Sequence, residues 1–222
     1  MSDFLLPFTE PQSACMQPLR HPQEGAWAGH CKFARWLVER MRPTRIVELG
    51  VYQGCSYLSF CEAVAYLELP TRCFAVDTWK GDDHALYYGE HVYEQFAKDH
   101  EPYRAFSEAL RMTFDEAAQT LGGSHPIDIL HIDGCHTYEA VMHDLDTWLP
   151  FMSGAGVVLL HDTSADLPGF GVRKAFAEKG GQYRASFEFV HSYGLGVIEI
   201  GQTSVFGDQR SRVDELRDFF SH

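Results

Sequence analysis

The sequence predicts an α/β fold in which a mostly parallel sheet is covered by helices on both faces and ends in an antiparallel edge hairpin. Three observations carry this. Short apolar strand signals alternate with helical ones from Arg45 onward, most of the strands stop at an acid or a glycine, and the last two strand signals are joined too tightly for a crossover. The 222 residues include 45% hydrophobic ones, enough for a sizeable core, with no internal repeat or low-complexity tract.

Up to Pro43 the chain reads as a lead-in with one helix, because Trp27, Phe33, Trp36, Leu37 and Met41 recur at helical spacing and the proline stops the run. Arg45 to Leu49 is then the first strand, Cys55 to Leu67 a helix, and Cys73 to Val76 a second strand ending at Asp77. Asp82 to His100 reads as a loop followed by a helix over a strand end, and a weak third strand is expected around Ala109 to Met112. Phe114 to Leu121 is a helix closed by Gly122 and Gly123. Ile127 to Ile132 is a fourth strand, Tyr138 to Trp148 a helix closed by Pro150, and Val157 to Leu160 a fifth strand running into His161 and Asp162. Phe187 to Val190 and Val197 to Ile200 form the closing hairpin, and a charged amphipathic helix ends the chain. The domain reading is residues 1–43 as lead-in, 44–201 as core and 202–222 as helical tail.

Charge and composition exclude several classes. With 18 basic and 31 acidic residues the net charge is −13, which repels phosphate backbones, and no basic stripe offsets it. No apolar stretch approaches the roughly 20 residues of a membrane helix. The opening MSDFLLPF lacks the features of a secretory signal, so a cytoplasmic location is expected. Six cysteines without a C-x-x-C pair read as buried thiols.

In an open parallel sheet, ligands bind at the carboxyl ends of the strands, and Glu48, Asp77, Asp133 and Asp162 all fall there. Gly50 and Gly54 let backbone approach a ligand, but the Gly-x-x-x-Gly spacing lacks the full dinucleotide fingerprint. Glu48 at that bend opposes a dianion and suits a cationic ligand such as S-adenosylmethionine, which bears an ammonium and a sulfonium. Asp77 occupies the place from which an acid accepts from ribose hydroxyls. Asp133 and Asp162, with His136 and His161 close in sequence, form a hard-metal or a general-base constellation, and the residues leave both open. His131 reads as a packed core histidine, His143, Asp144 and Asp146 as a solvated helix face, and Trp148, Phe187, Phe189 and Tyr193 as packing.

The succession VELGVYQG, FAVDTW, IDILHIDGCHTYEAV, VVLLHDT and GLGVIEIG resembles the class I S-adenosylmethionine-dependent methyltransferases, with their Rossmann-like sheet. More narrowly it is similar to small O-methyltransferase-like domains encoded with, or fused to, glycosyltransferases, over roughly Trp27 to Gly201. That resemblance implies that Glu48, Gly50 and Gly54 line the methionine part of the donor, that Tyr52 and Ser56 contact its carboxylate or nearby backbone, and that Asp77 holds the ribose. It places Thr78 and Trp79 beside adenosine, Thr113 and Phe114 near adenine, and Asp133 facing the methyl group. In metal-dependent relatives of the catechol type an Asp and an Asp-Asn pair hold the metal. Here Asp133 and Asp162 match, Thr163 stands in place of the Asn, and His136 becomes a substitute ligand or the base. Mg²⁺ or Mn²⁺ is the metal implied.

The implied reaction is methyl transfer to a hydroxyl of a sugar, glycan or related small molecule, with Asp133, His136 and His161 as catalytic residues. Lys80 to Glu90, with His84, Tyr87 and Tyr88, is expected to cover the acceptor, and the turn GLGV (Gly194 to Val197) to lie near it. A glycosyltransferase partner and a homo-oligomer are further implied associations. A nicotinamide-dependent oxidoreductase and a non-catalytic cofactor-binding module are the alternatives; Glu48 and the missing glycine spacing weigh against the first, and the polar pairs Asp133/His136 and His161/Asp162 against the second.

Overall fold

The computed structural model describes residues 25–82, 86–123, 125–183, 185–201, 205–206 and 210–221. A short 3-10 turn, Ala28–His30, leads into α1 (Cys31–Met41), which ends where Arg42 takes a left-handed conformation ahead of Pro43. Then follow β1 (Arg45–Leu49), α2 (Cys55–Tyr66), β2 (Arg72–Asp77), β3 (Gly81–Asp82), β4 (Leu86–Tyr87), α3 (His91–His100), β5 (Ser107–Arg111) and α4 (Phe114–Leu121). The second half holds β6 (Ile127–Ile132), α5 (Tyr138–Trp148), β7 (Met152–His161), α6 (Val172–Gly180), β8 (Ala185–Phe189), β9 (Leu195–Glu199) and α7 (Arg210–Phe220).

Seven strands form one sheet in the order β5-β2-β1-β6-β7-β9-β8. The pairings among β5, β2, β1, β6 and β7 are parallel, and β9 pairs antiparallel with both β7 and β8. This is the doubly wound sheet with an antiparallel C-terminal edge that the strand rhythm predicts. The reason is visible residue by residue. Ile46, Ile129, Val157 and Leu159 pack with α1, α2 and α7 on one face, while Val47, Leu49, Leu130, Ile132, Val158 and Leu160 pack with α4, α5 and α6 on the other. Strands apolar on both sides have to be covered on both sides. Phe33 and Trp36 of the lead-in helix join Phe206, Leu216 and Phe220 in the first of these clusters, so both ends of the described chain are built into the core. A buried ion pair between Arg35 and Glu62, 2.7 Å, fixes α1 against α2.

Several elements differ from the sequence expectation. β7 begins at Met152, because its first residues run half-exposed or exposed past β6 and carry no apolar signal. Asp77 and His161 are the last residues of their strands, not the first beyond them. β5 starts two residues early, at Ser107, and the closing strands are shifted toward the N-terminus. The Lys80 to Glu90 stretch contains the two-stranded β3-β4 pairing, and its His84 lies outside the described residues. Helix α6 was not anticipated; its sequence VRKAFAEKG is mostly charged and small, and only Val172, Ala175 and Phe176 at i, i+3 and i+4 betray it.

The chain runs from β1 outward through β2 to β5, then returns to place β6 on the other side of β1. The strand order therefore reverses between β1 and β6, the point where open α/β sheets leave a crevice at their carboxyl edge. Gly50 sits there with φ of +84°, its amide bonded to Val76 O at 3.0 Å. A Cβ at this position would lie 2.1 Å from the Asp133 carbonyl. Gly50→Ala is expected to lower the unfolding free energy by more than about 2 kcal/mol, since both φ and space forbid the methyl. Urea denaturation of the two proteins measures the difference.

Candidate active site

Above that crevice lies a cavity of about 540 Å³. Its walls come from Gly25 to Trp27, from the bend Gly50 to Ser56, from Asp77, Thr78, Gly81 and Tyr88, from Thr113 and Phe114, from Asp133 to His136, and from His161 and Asp162.

The bend is organised by one carboxylate. Asp77 Oδ2 accepts from the amides of Val51 (2.8 Å) and Tyr52 (2.9 Å), and its Oδ1 accepts from the amide of Trp79 (2.7 Å). Three of its roughly four acceptor directions are thus taken by backbone, which leaves about one for a ligand hydroxyl. Thr113 caps α4 in a reciprocal box with Glu116, presenting its own backbone and the Phe114 ring to the cavity. Tyr52, held at φ +50° and half-exposed, meets Tyr88 edge to face at 5.1 Å across the mouth.

Two expected wall residues lie elsewhere. Glu48 is fully buried beneath the wall, with Oε1 accepting from Ser56 Oγ at 2.7 Å and Oε2 standing 2.9 Å from His131 Nδ1. As the fourth residue of a strand whose next residue, Leu49, faces the opposite side, it projects into the α1/α2 layer and away from the strand end. Burial pushes its carboxyl above the usual range, with His131 and Ser56 opposing. Trp79 is also absent from the wall. Its φ of +52° turns the chain so that the indole donates to Tyr52 O (2.9 Å) and packs against Tyr93 and Phe96.

At the other end of the cavity two carboxylates and two imidazoles interleave. His136 Nε2 lies 2.8 Å from Asp162 Oδ2 and 3.9 Å from Asp133 Oδ1, while its ring stacks on Phe170 at 4.4 Å. His161 Nδ1 lies 3.3 Å from Asp133 Oδ1 and 3.5 Å from Asp162 Oδ1, and its Nε2 faces the Ser192 carbonyl at 3.1 Å. Carbonyls and carboxylates only accept, so both His161 nitrogens carry protons, and this residue is a fixed cation with no lone pair for a base. Burial alone would lower the two imidazoles, but the aspartates outweigh it and raise His161 to about 10 and His136 to about 9. The same contacts overcome burial at Asp133 and Asp162 and hold both carboxyls below their ordinary range. Asp162 reaches this position with φ +63°, a conformation costly for a residue with a side chain.

Asp133, His136 and Asp162 each present one ligand atom within 4.8 Å of the others. Thr163, at the Asn position of the metal-binding pattern, is fully buried and outside the cavity wall, so it adds no ligand. Asp144 departs from the solvated face expected of it: it is buried, and burial raises its carboxyl to about 7. Asp146 on the next turn is exposed and paired with Lys179. Tyr193, read as packing, is 54% exposed. Sequence reasoning took Trp27 for helix packing and passed over Ala26 and Phe170; no spacing signals them, because they reach the site from loops. Among the described residues no helix is long and apolar enough to cross a membrane.

Fold and cavity together define a Rossmann-like protein of the class I methyltransferase architecture. Residues 47–163 match the family described as a methyltransferase domain, more than half of the chain, and the protein belongs to that family. It is 45% identical over 186 residues to the uncharacterized protein y4gI of Sinorhizobium fredii (strain NBRC 101917 / NGR234), covering 84% of this chain and 20% of that one. The chain thus spans about a fifth of that relative's length. Its fold is similar to that of the O-methyltransferase NovP (TM-score 0.64, 16% identity, 87% of each chain). It is also similar to the O-methyltransferase TomG from Streptomyces achromogenes in complex with S-adenosylmethionine (TM-score 0.59, 17% identity, 78% of this chain and 80% of that one). At such identities these likenesses establish the fold.

The charge arrangement sets a pH window. His161 stands at about 10 against 6.5 unfolded, so its contribution to stability is complete below about pH 6.5 and is lost as pH rises toward about 10. Asp133, lowered from 3.8, contributes above that value and loses its contribution in acid. The contribution of these two groups is therefore complete between about pH 4 and 6.5, where the raised Asp144 carboxyl adds a gradual loss toward about pH 7, and the melting temperature is expected to decline further on the alkaline side. In His161→Gln the alkaline decline should flatten, which a calorimetric pH series reads directly.

Proposed function

We propose that this chain transfers a methyl group from S-adenosylmethionine to a hydroxyl of a small molecule, with a sugar or glycan as the acceptor class. The observation that carries the reading is the continuity of the cavity from Thr113 and Phe114, past Asp77, to Asp133, His136 and Asp162. A nucleoside fits the first part, and the second supplies groups that handle a proton. The aromatic mouth of Tyr52 and Tyr88, with Tyr87 beside it 74% exposed, suits stacking on sugar faces. The short match to a much longer relative supports a unit that works beside other modules, and a glycosyltransferase is the partner proposed. A homo-oligomer belongs to the same proposal and is read by sedimentation.

S-adenosylmethionine supplies an electrophilic methyl carbon when bound. Asp77 holds the bend that receives its nucleoside and keeps about one acceptor direction for a ribose hydroxyl; Gly50, Gly54, Tyr52 and Ser56 form the wall for the amino-acid end, and Thr78 borders the adenosine. Asp133 and Asp162 fix the imidazole of His136 beside the acceptor position. In its base form His136 takes the hydroxyl proton as the acceptor oxygen attacks, and His161 stays protonated, holding the two carboxylates in place. Because His136 stands at about 9, its base form grows tenfold per pH unit below that value, and turnover should climb with it.

The donor cluster favours a second reading. Two carboxylate oxygens and one imidazole suit Mg²⁺ or Mn²⁺, held by Asp133, His136 and Asp162, where a cation would acidify the acceptor hydroxyl. Calorimetry is expected to show binding of S-adenosylhomocysteine and none of NAD; the opposite result returns the oxidoreductase. His136→Asn should cut turnover by about 10²- to 10⁴-fold on a panel of sugar and nucleotide-sugar acceptors. Turnover unaffected by a chelator supports the histidine base, turnover abolished by it supports the metal, and no methyl transfer to any acceptor leaves the non-catalytic module.

A further inference from the structure

Glu48 and His131 are register partners on β1 and β6, both fully buried, on the sheet face that otherwise packs Ile46, Ile129 and the apolar sides of α1 and α2. A pair of apolar residues there would serve folding as well or better, because desolvating polar groups costs more than ordinary packing. What the pair does instead is connect two walls of the cavity. Trp27 Nε1 donates to His131 Nε2 at 3.0 Å, and Trp27 lines the cavity from the N-terminal side. An indole N–H only donates, so Nε2 holds the lone pair and the ring proton sits on Nδ1, facing Glu48 Oε2 at 2.9 Å in a bent contact. Glu48 Oε1 accepts from Ser56 Oγ, which lines the opposite wall in the first turn of α2.

We propose that Trp27 is a positioning residue for the methyl donor, acting through the buried chain Trp27, His131, Glu48 and Ser56, which ties the Gly25 to Trp27 wall to the turn that receives the donor's amino-acid end. The inference rests on the methyltransferase reading above. Each donor in the chain has one direction, so displacing the indole leaves a buried imidazole nitrogen unsatisfied and loosens the Glu48 acceptor behind Ser56. The same segment is anchored on the acceptor side as well. His191 Nε2 faces Gly29 O at 3.3 Å, and the His30 and His191 rings lie 4.4 Å apart. Trp27 therefore sits between the donor floor and the β8-β9 turn, its ring 6.3 Å from that of His161.

The test is Trp27→Phe, which keeps a ring and removes the donor. Its dissociation constant for S-adenosylhomocysteine, read by calorimetry, should rise about tenfold, and the KM for S-adenosylmethionine with it, while the KM for the acceptor stays put. Trp36, Trp79 and Trp148 do not line the cavity, so the change in tryptophan emission on binding S-adenosylhomocysteine should be present in the natural protein and absent in the variant. A second pair serves should Trp27→Phe fail to fold: His131→Leu breaks both links, and His131→Gln, whose amide accepts and donates, should recover most of the affinity that His131→Leu loses. Equal affinity in Trp27→Phe, or no recovery by His131→Gln, overturns the proposal and leaves methyl transfer intact. A natural protein that does not bind S-adenosylhomocysteine overturns the methyltransferase reading and the proposal together.

Discussion

Asp133 and Asp162 end neighbouring strands and point at one place, and two carboxylates that close repel each other strongly in a partly dry cavity. The arrangement holds because His136 and His161 lie between them, so that two anions and two imidazoles share one network. Almost everything at this end of the cavity answers to that constraint. Ser192 O takes the outer proton of His161 and thereby fixes where the β8-β9 turn must run. Phe170 covers the His136 ring. The left-handed backbone of Asp162 is tolerated because its amide is held by Gly194 O at 3.0 Å and its carboxylate by the two rings.

At the Asp77 end of the cavity the carboxylate is balanced differently, by neutral backbone N–H donors in place of imidazoles. Asp77 draws the amides of Val51, Tyr52 and Trp79 toward itself and so shapes the bend after β1 before any ligand is considered. Most of the acceptor capacity of this acid is thus spent on backbone, so its first effect is to build the wall of the cavity.

How much of this was legible in the sequence follows from range. The strand rhythm was readable because strands buried on both faces are short apolar runs, and the switch point came with the strand order. Asp133, His136, His161 and Asp162 were readable as a group because they follow two adjacent strand ends. Glu48 and Trp79 were misplaced because a strand-end position fixes a Cα and not the face its side chain takes; Leu49 already occupies the opposite face at Glu48, and a positive φ turns Trp79 inward. Trp27 and Phe170 belong to segments whose approach to the cavity depends on contacts more than a hundred residues away for Trp27, and on a loop for Phe170. No local pattern encodes such contacts.

The misplacement of Glu48 has a physical consequence. A carboxylate lining the wall would attract a cationic donor directly, at the cost of holding that charge in water between turnovers. Set one layer down, it is removed from water, and burial pushes its carboxyl toward the protonated form. Its remaining influence on the cavity is orientational: it fixes the hydroxyl rotor of Ser56 and the tautomer of His131, the two groups through which opposite walls are registered to each other. The cation preference expected of the bend therefore does not rest on Glu48, and at the far end of the cavity the charges of Asp133 and Asp162 are balanced near neutral pH by His136 and His161, whose imidazoles they hold protonated.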